Sequence, residues 1–370
     1  KGNSKETPYG TPVVVDRTPP VLLAGTVAPA IANSETVSVA VSFAFSEKID
    51  SFVKGDVTVV PSGILTNYVC TNSSGYEQTY SCLFDTTALG EYEGSFTFYA
   101  AAEDKAGNPM VVNPSSIGVL TVDRNAPELT FNSVTPSTVN KLTASISIQF
   151  TVDDVPDGNP VVRVGTELSS SSPASVTNGG KTFTYNFNDL SALTDGSKNV
   201  FVDLKDGSGN IVSATWAGTI RVDRTAPEVI ASSIAPAYVN KSVDELNLSF
   251  SFSEPMSAFS NGYLTVSPAS VLPAHSCSAL DGSNQTISCV IDTSALDSSF
   301  NGIYTFKVTG VDASGNSMDS QYTLGMVEVD RSAPNAGLNS ITPANVNKNT
   351  SQITVVFTVT EPLAAAPAVK

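Results

Sequence analysis

Val-Asp-Arg, followed by two residues and a proline, occurs four times, with its Asp at positions 16, 123, 223 and 330. The intervals are 107, 100 and 107 residues. Repeats of that size are whole domains, not the 20–50-residue turns of a solenoid. Each copy reads as a seam, because proline fixes φ and has no N–H, so the chain leaves one sheet extended and enters the next. The expected partition is 1–14, the last strand of a preceding domain, then domains 15–121, 122–221 and 222–328, and a partial domain 329–370. Lys1-Gly2-Asn3 supports the first of these, since it matches Ala106-Gly107-Asn108 near the end of a later unit.

Charge narrows the partners. The 35 acidic and 19 basic residues give a formal net charge of -16. That excludes nucleic acid, whose binding needs basic patches to displace counterions. No run of 18 apolar residues occurs, so no transmembrane helix is expected. Charged residues are only 15% of the chain, and Ser, Thr, Val, Gly and Pro are abundant, which suits an all-β protein.

Within each unit a Pro-containing turn (Val27-Ala28-Pro29, Val134-Thr135-Pro136, Ile234-Ala235-Pro236, Ile341-Thr342-Pro343) precedes a strict alternation. Val37, Val39, Val41, Phe43 and Phe45 alternate with small or polar residues; so do Ile146 to Val152, Leu246 to Phe252 and Ile353 to Val359. Period two over this length predicts a strand with one face buried. A second alternating strand (Phe96 and Phe98; Val200 and Val202; Tyr304 and Phe306) runs into Asp104-Lys-Ala-Gly-Asn108, Asp206-Gly-Ser-Gly-Asn210 and Asp312-Ala-Ser-Gly-Asn316. Asp followed by Gly-Asn is turn chemistry. About seven short strands per unit predict an antiparallel sandwich.

The seam, Phe252-Ser253-Glu254-Pro255 after the strand, and the Asp-x-x-Gly-Asn turn recur in fixed order. Together they resemble the tandem bacterial immunoglobulin-like domains of large surface adhesins. The resemblance covers essentially the whole chain and implies an array of immunoglobulin-like β-sandwiches. Unit 2 departs from it, with Asp153-Asp154-Val155 where the others have Glu followed by Pro or Lys.

Four cysteines form two equally spaced pairs, Cys70 with Cys82 and Cys277 with Cys289, each pair 12 apart and within one unit. The spacing predicts two hairpin disulfides, and so an oxidising, exported location. Unit 2 has no cysteine, is 7 residues shorter and is expected to carry a trimmed hairpin.

A carboxylate follows each alternating strand: Glu47, Asp154, Glu254 and Glu361, each 31 residues after its seam Asp. Immunoglobulin topology puts the start of the first strand, the end of the second and the hairpin before the last at one pole. Convergence is therefore expected of Asp16, Glu47, Asp104 and Asn108; of Asp123, Asp154, Asp206 and Asn210; and of Asp223, Glu254, Asp312 and Asn316. The fourth unit keeps Asp330 and Glu361. Gathered carboxylates repel, and calcium suits all-oxygen ligands with loose geometry. In the resembling adhesins and in cadherins, ions at such junctions stiffen the linker. Two alternatives stay open: Arg17, Arg124, Arg224 and Arg331 follow each seam Asp and pair well with carboxylates, and the turn Asp is able simply to cap backbone N–H groups.

His275 is the only histidine and is placed in an exposed loop, so no Ser-His-Asp or Cys-His centre is available. Acids that recur once per domain fit architecture better than a glycosidase pair. Trp216, the only Trp, falls in the last strand of unit 2. Tyr68, Tyr76 and Tyr80 flank the unit 1 hairpin and are the aromatic candidates for a ligand patch. The expected function is a non-enzymatic stalk on a bacterial surface, its partners being neighbouring domains of the same chain. A module that binds a surface glycan or protein, or a filament subunit, are the alternatives.

Overall fold

The computed structural model describes residues 13–72, 77–268, 275–282, 284–363 and 365–370. The preceding-domain strand expected in 1–14 falls almost wholly outside the described residues, as does Tyr76. The chain forms two compact units. One comprises 1–137, 144–193 and 197–220; the other comprises 138–143, 194–196 and 221–370.

The first compact unit contains two β-sandwiches. In the first, one sheet runs Leu22–Ala28, Ser38–Phe45, Thr79–Asp85, Tyr68–Asn72. The other runs Ile31–Ala32, Ser115–Val122, Gly94–Ala100, Val57–Val60. Neighbours are antiparallel except Ile31–Ala32, which lies parallel to Thr121 and Val122. This is an immunoglobulin arrangement in which the first strand divides at the cis Ala28-Pro29 peptide and serves both sheets.

Alternation drives this assembly. Val39, Val41, Phe43 and Phe45 are buried against Tyr80, Cys82, Phe84, Phe96 and Phe98. Each such side chain contributes roughly 1.5–3 kcal/mol on leaving water. Val37 is exposed because the strand starts one residue later, at Ser38.

The second sandwich pairs Ser175–Thr177, Thr182–Phe187, Ile146–Val152 and Leu129–Thr135 in one sheet. Leu168–Ser170, Val161–Val164, Val200–Lys205 and Ile211–Thr215 form the other. Its counterpart of the Tyr68–Asn72 strand is only three residues long, Ser175–Thr177, which matches the missing residues and the missing cysteines.

The second compact unit repeats the plan. Val229–Ala235, Glu245–Phe252, Thr286–Asp292 and His275–Ala279 make one sheet; Tyr238–Val239, Tyr322–Val329, Gly302–Val308 and Leu264–Ser267 make the other. Leu246, Leu248, Phe250 and Phe252 supply its core. Ala336–Thr342 and Thr354–Val359 add a two-stranded sheet in which Val355 and Phe357 are only half-buried.

Both disulfides form between residues directly opposite one another on adjacent antiparallel strands, Cys70 with Cys82 and Cys277 with Cys289.

Candidate functional site

The Asp-x-x-Gly-Asn turn is built by its own first residue. Asp104 Oδ1 accepts the backbone N–H groups of Ala106 and Asn108 at 2.8 and 2.9 Å. Asp206 and Asp312 do the same with Ser208 and Asn210, and with Ser314 and Asn316. The fourth residue adopts positive φ (Gly107 86°, Gly209 91°, Gly315 90°), which glycine tolerates without a Cβ penalty. The final Asn closes the turn, its Nδ2 donating to the second carboxylate oxygen at 2.7, 2.9 and 2.7 Å. These bonds, led by that of Asn108, hold the Asp104 carboxyl below the usual carboxylate range.

The same Asn reaches the seam. Nδ2 of Asn108, Asn210 and Asn316 also donates to the main-chain carbonyl of Asp16, Asp123 and Asp223, at 3.2, 2.9 and 2.9 Å. Seam and turn are thereby tied at one pole. The strand that ends beside them is fixed by the residue before its acid. Ser46, Asp153, Ser253 and Thr360 accept, with a side-chain oxygen, the N–H of Val21, Glu128, Glu228 and Asn335.

This geometry gathers two carboxylate triads. Asp16, Glu47 and Asp104 bring one oxygen each within 4.8 Å of the others, and so do Asp223, Glu254 and Asp312. Glu254 is half-buried, and desolvation followed by the charges of Asp223, Asp312 and Asp195 pushes it up to about 7, against a small opposing effect of Arg221. Glu47 is raised for the same reasons, burial first, then Asp16 and Asp104. Around Asp223, the Ser314 hydroxyl donates to Oδ2 at 2.6 Å and Arg221 lies 3.6 Å away.

The second sandwich does not assemble its triad. Among the described residues, groups of three acids within 4.8 Å are the two above. Asp154 is exposed and turns its Oδ1 to the N–H of Val155 at 2.7 Å. Asp is one methylene shorter than Glu, so bonding its neighbour replaces reaching inward. Asp123 and Asp206 still meet through Asn210. Asp330 accepts from Asn301 Nδ2 and Ser332 N–H, and Glu361 is half-buried.

The Asn side chains sit differently from ligands. Oδ1 of Asn210 and Asn316 accepts the N–H of Ser34 and Lys141, so the nitrogen faces the carboxylates.

Of the seam arginines, Arg124 and Arg331 do not take the carboxylate-bridging alternative. Arg124 donates to the carbonyls of Ser34, Thr36 and Thr86, and Arg331 to those of Val243 and Thr293. These two guanidinium groups cap loop carbonyls of the preceding repeat instead of bridging carboxylates.

One acid escaped the sequence reading. Asp195, just before Gly196, accepts Arg224 N–H at 2.8 Å and the Thr225 hydroxyl at 2.6 Å, and its charge reaches Glu254. Glu93 and Asn301 occupy the same position and accept the N–H of Arg124 and Arg331. The signal was available, since all three precede a glycine ten residues before the turn Asp.

The remaining candidates resolve into packing. Tyr80 is buried, stacked on Phe43 and tilted against Phe52; Tyr68 stacks on Phe84 at 4.3 Å, with its hydroxyl on the carbonyls of Lys54 and Val57. Tyr68 and Tyr80 thus pack into the core, as ordinary strand residues do, instead of forming a ligand patch. His275 lies not in an exposed loop but on the strand His275–Ala279, half-buried, 3.3 Å from the Asn261 carbonyl. Trp216 follows the strand Ile211–Thr215 and lies over Gly218, where a Cβ would meet its ring at 2.7 Å.

No family model matches the chain. Nor does any curated protein. Among solved structures, it is similar to a protein described as a Ca2+-stabilized adhesin that helps an Antarctic bacterium reach out and bind ice. That structure is 19% identical, covers 87% of this chain and 79% of its own, and superimposes with a TM-score of 0.39. A 1.5-MDa bacterial ice-binding adhesin, studied for host cell surface retention, is 17% identical over 86% of this chain and 100% of its own, with a TM-score of 0.37. A tetra-tandem repeat from the extending region of a large adhesion protein is 20% identical over 91% and 88%, with a TM-score of 0.30. No helix among the described residues is long and apolar enough to cross a membrane.

Proposed function

We propose that this chain is a non-enzymatic spacer of a bacterial surface adhesin-like protein, exported to an oxidising environment, with domains 15–121, 122–221 and 222–328 as its complete links. The observation that carries this reading is repetition. The acids that meet do so at the same place in different repeats, Asp16, Glu47 and Asp104 in one and Asp223, Glu254 and Asp312 in another. A catalytic centre would be unique.

Calcium fits these triads. Each offers carboxylate oxygens only, as a hard cation prefers, and Glu254 is pushed up by burial and by Asp223, Asp312 and Asp195, which Arg221 offsets only in part. Asp195 would add to the second set. Asp16, Glu47 and Asp104, and Asp223, Glu254 and Asp312, would hold the ion; its chemistry is to neutralise the acids and stiffen the seam. The Asn residues would position the turn, with no role as ligands. Asp123, Asp154, Asp206, Asp330 and Glu361 would bind only after rearrangement.

Thermal melting in calcium and in chelator tests this. Calcium should raise the melting temperature of the whole chain, and Glu254→Gln should remove part of the increase. Equal melting in both conditions would remove calcium and leave the spacer standing. Glycan-array binding by the whole chain, abolished by a surface substitution, would replace the spacer with a binding module.

A further inference from the structure

The edge strand Ile31–Ala32 ends in a turn governed by Asn33. Its Oδ1 accepts the N–H of Glu35 and the hydroxyl of Thr36, at 3.1 and 2.9 Å. Both Oδ1 lone pairs are thus used inside the turn, and the amide nitrogen is left to point outward. It donates to the carbonyl of Ser208 at 3.1 Å, in the Asp-x-x-Gly-Asn turn of the next sandwich. The adjacent Ser34 N–H donates to Asn210 Oδ1 at 2.9 Å. Asn210 is 1% exposed, and its own nitrogen is committed to Asp206 and to the Asp123 carbonyl. Every polar atom of these two side chains has a partner, so the pair fits in one register.

The arrangement recurs within the second compact unit. Asn140 Oδ1 accepts from Leu142 N–H and the Thr143 hydroxyl, its Nδ2 donates to the Ser314 carbonyl at 3.0 Å, and Lys141 N–H donates to Asn316 Oδ1 at 2.8 Å. The turn glycine permits the approach. A Cβ on Gly209 would lie 3.0 Å from Asn33 Nδ2 and one on Gly315 would lie 2.9 Å from Asn140 Nδ2, whereas one on Gly107 would meet nothing. The Asn33-type turn is also present at Asn240 and Asn347, whose Oδ1 atoms accept the N–H groups of Ser242 and Asn349.

We propose that the Asn33 turn is an interaction surface whose partner is the Asp-x-x-Gly-Asn turn of another immunoglobulin-like unit, a latch that sets the register of neighbours without a cation. No carboxylate takes part in its two bonds, and it is complete where Asp154 leaves the acid triad unformed.

Double electron–electron resonance on the whole chain, labelled at Thr58→Cys and Ser169→Cys on exposed strand positions of the two sandwiches, reads the latch. Asn33→Asp keeps the acceptor inside the turn but replaces the outward donor with an oxygen facing the Ser208 carbonyl. It should widen the distance distribution roughly twofold, equally in chelator and in calcium, as local contacts worth a few RT are lost. Asn240→Asp sets the cost of the same change to its own turn. Gly209→Ala and Gly107→Ala share one φ penalty, and only the former meets Asn33, so only Gly209→Ala should widen the distribution. If Asn33→Asp and Gly209→Ala both leave it as narrow as in the parent, the latch is refuted. Widening confined to chelator would refute it too, since a cation would then be the fastening.

Discussion

Glu254 is the residue whose ionisation is most out of balance. Its carboxyl titrates near 7 in the folded chain because burial and three acids oppose the charge. The unfolded carboxyl releases its proton near the ordinary 4.3. Between those values the folded state holds a proton that the unfolded state has lost, so stability is highest below the unfolded value and falls as pH rises through the folded one. In chelator, melting should therefore drop between about pH 4 and 7. Glu254→Gln should flatten that slope, recovering on the order of 1–2 kcal/mol at pH 8 once solvent screening is allowed for. Calcium should flatten it as well, because a bound cation favours the ionised acid. A slope unchanged by Glu254→Gln, measured by calorimetry across that range, would deny the residue its role. Asp312 works differently: its Oδ1 holds two backbone N–H groups of the turn. Asp312→Ala should unseat the turn even in chelator, and the loss of slow exchange at Asn316 N–H would report it.

At the scale of strands, two features decide stability, the alternating strand and the cross-strand disulfide. Replacing Cys277 and Cys289 together with Ala should cost roughly 3 kcal/mol by the loop-entropy argument. The effect should be confined to the sandwich that contains them, and urea unfolding followed by exchange of the Phe250 and Phe252 amides would check this. Much of this level was legible beforehand. Period two placed Leu246, Leu248, Phe250 and Phe252 inward, and equal cysteine spacing gave the bridges. Topology placed the seam, post-strand and turn acids at one pole, and two of the three expected sets meet there, while that of Asp123, Asp154 and Asp206 does not. What stayed hidden was direction. Sequence says that Asp154 follows a strand, not that its shorter side chain bonds Val155. It lists Arg124 beside Asp123, not that the guanidinium turns back to carbonyls of Thr36 and Thr86. Tyr68 and Tyr80 stayed open between packing and a patch, because alternation alone does not say which face is covered.

For the molecule as a whole, the seams are unequal although their sequences match. The seam at Asp223 carries Glu254, Asp312 and, from the preceding repeat, Asp195; that at Asp123 has an incomplete set because Asp154 faces away. Both carry an Asn-centred turn contact. A cation should therefore govern one seam and leave the other to hydrogen bonds. Trypsin distinguishes them, since it cleaves after the Arg of each seam and needs the backbone to open locally first. When opening is fast relative to cleavage, the rate follows the free energy of opening. With calcium at the Asp223 acids as proposed, its withdrawal would leave three or four crowded acids unneutralised, and cleavage after Arg224 should accelerate by roughly tenfold, the effect of about 1.4 kcal/mol. Cleavage after Arg124 should stay slow in both conditions, because its guanidinium and backbone N–H remain bonded to Ser34, Thr36, Thr86 and Glu93. Asn33→Asp should then raise cleavage after Arg124 with calcium present. Mass spectrometry of the first fragments separates the possibilities: equal acceleration at Arg124 and Arg224 on chelation would mean that the seams are alike, and that the orientation of Asp154 has no bearing on how this chain holds together.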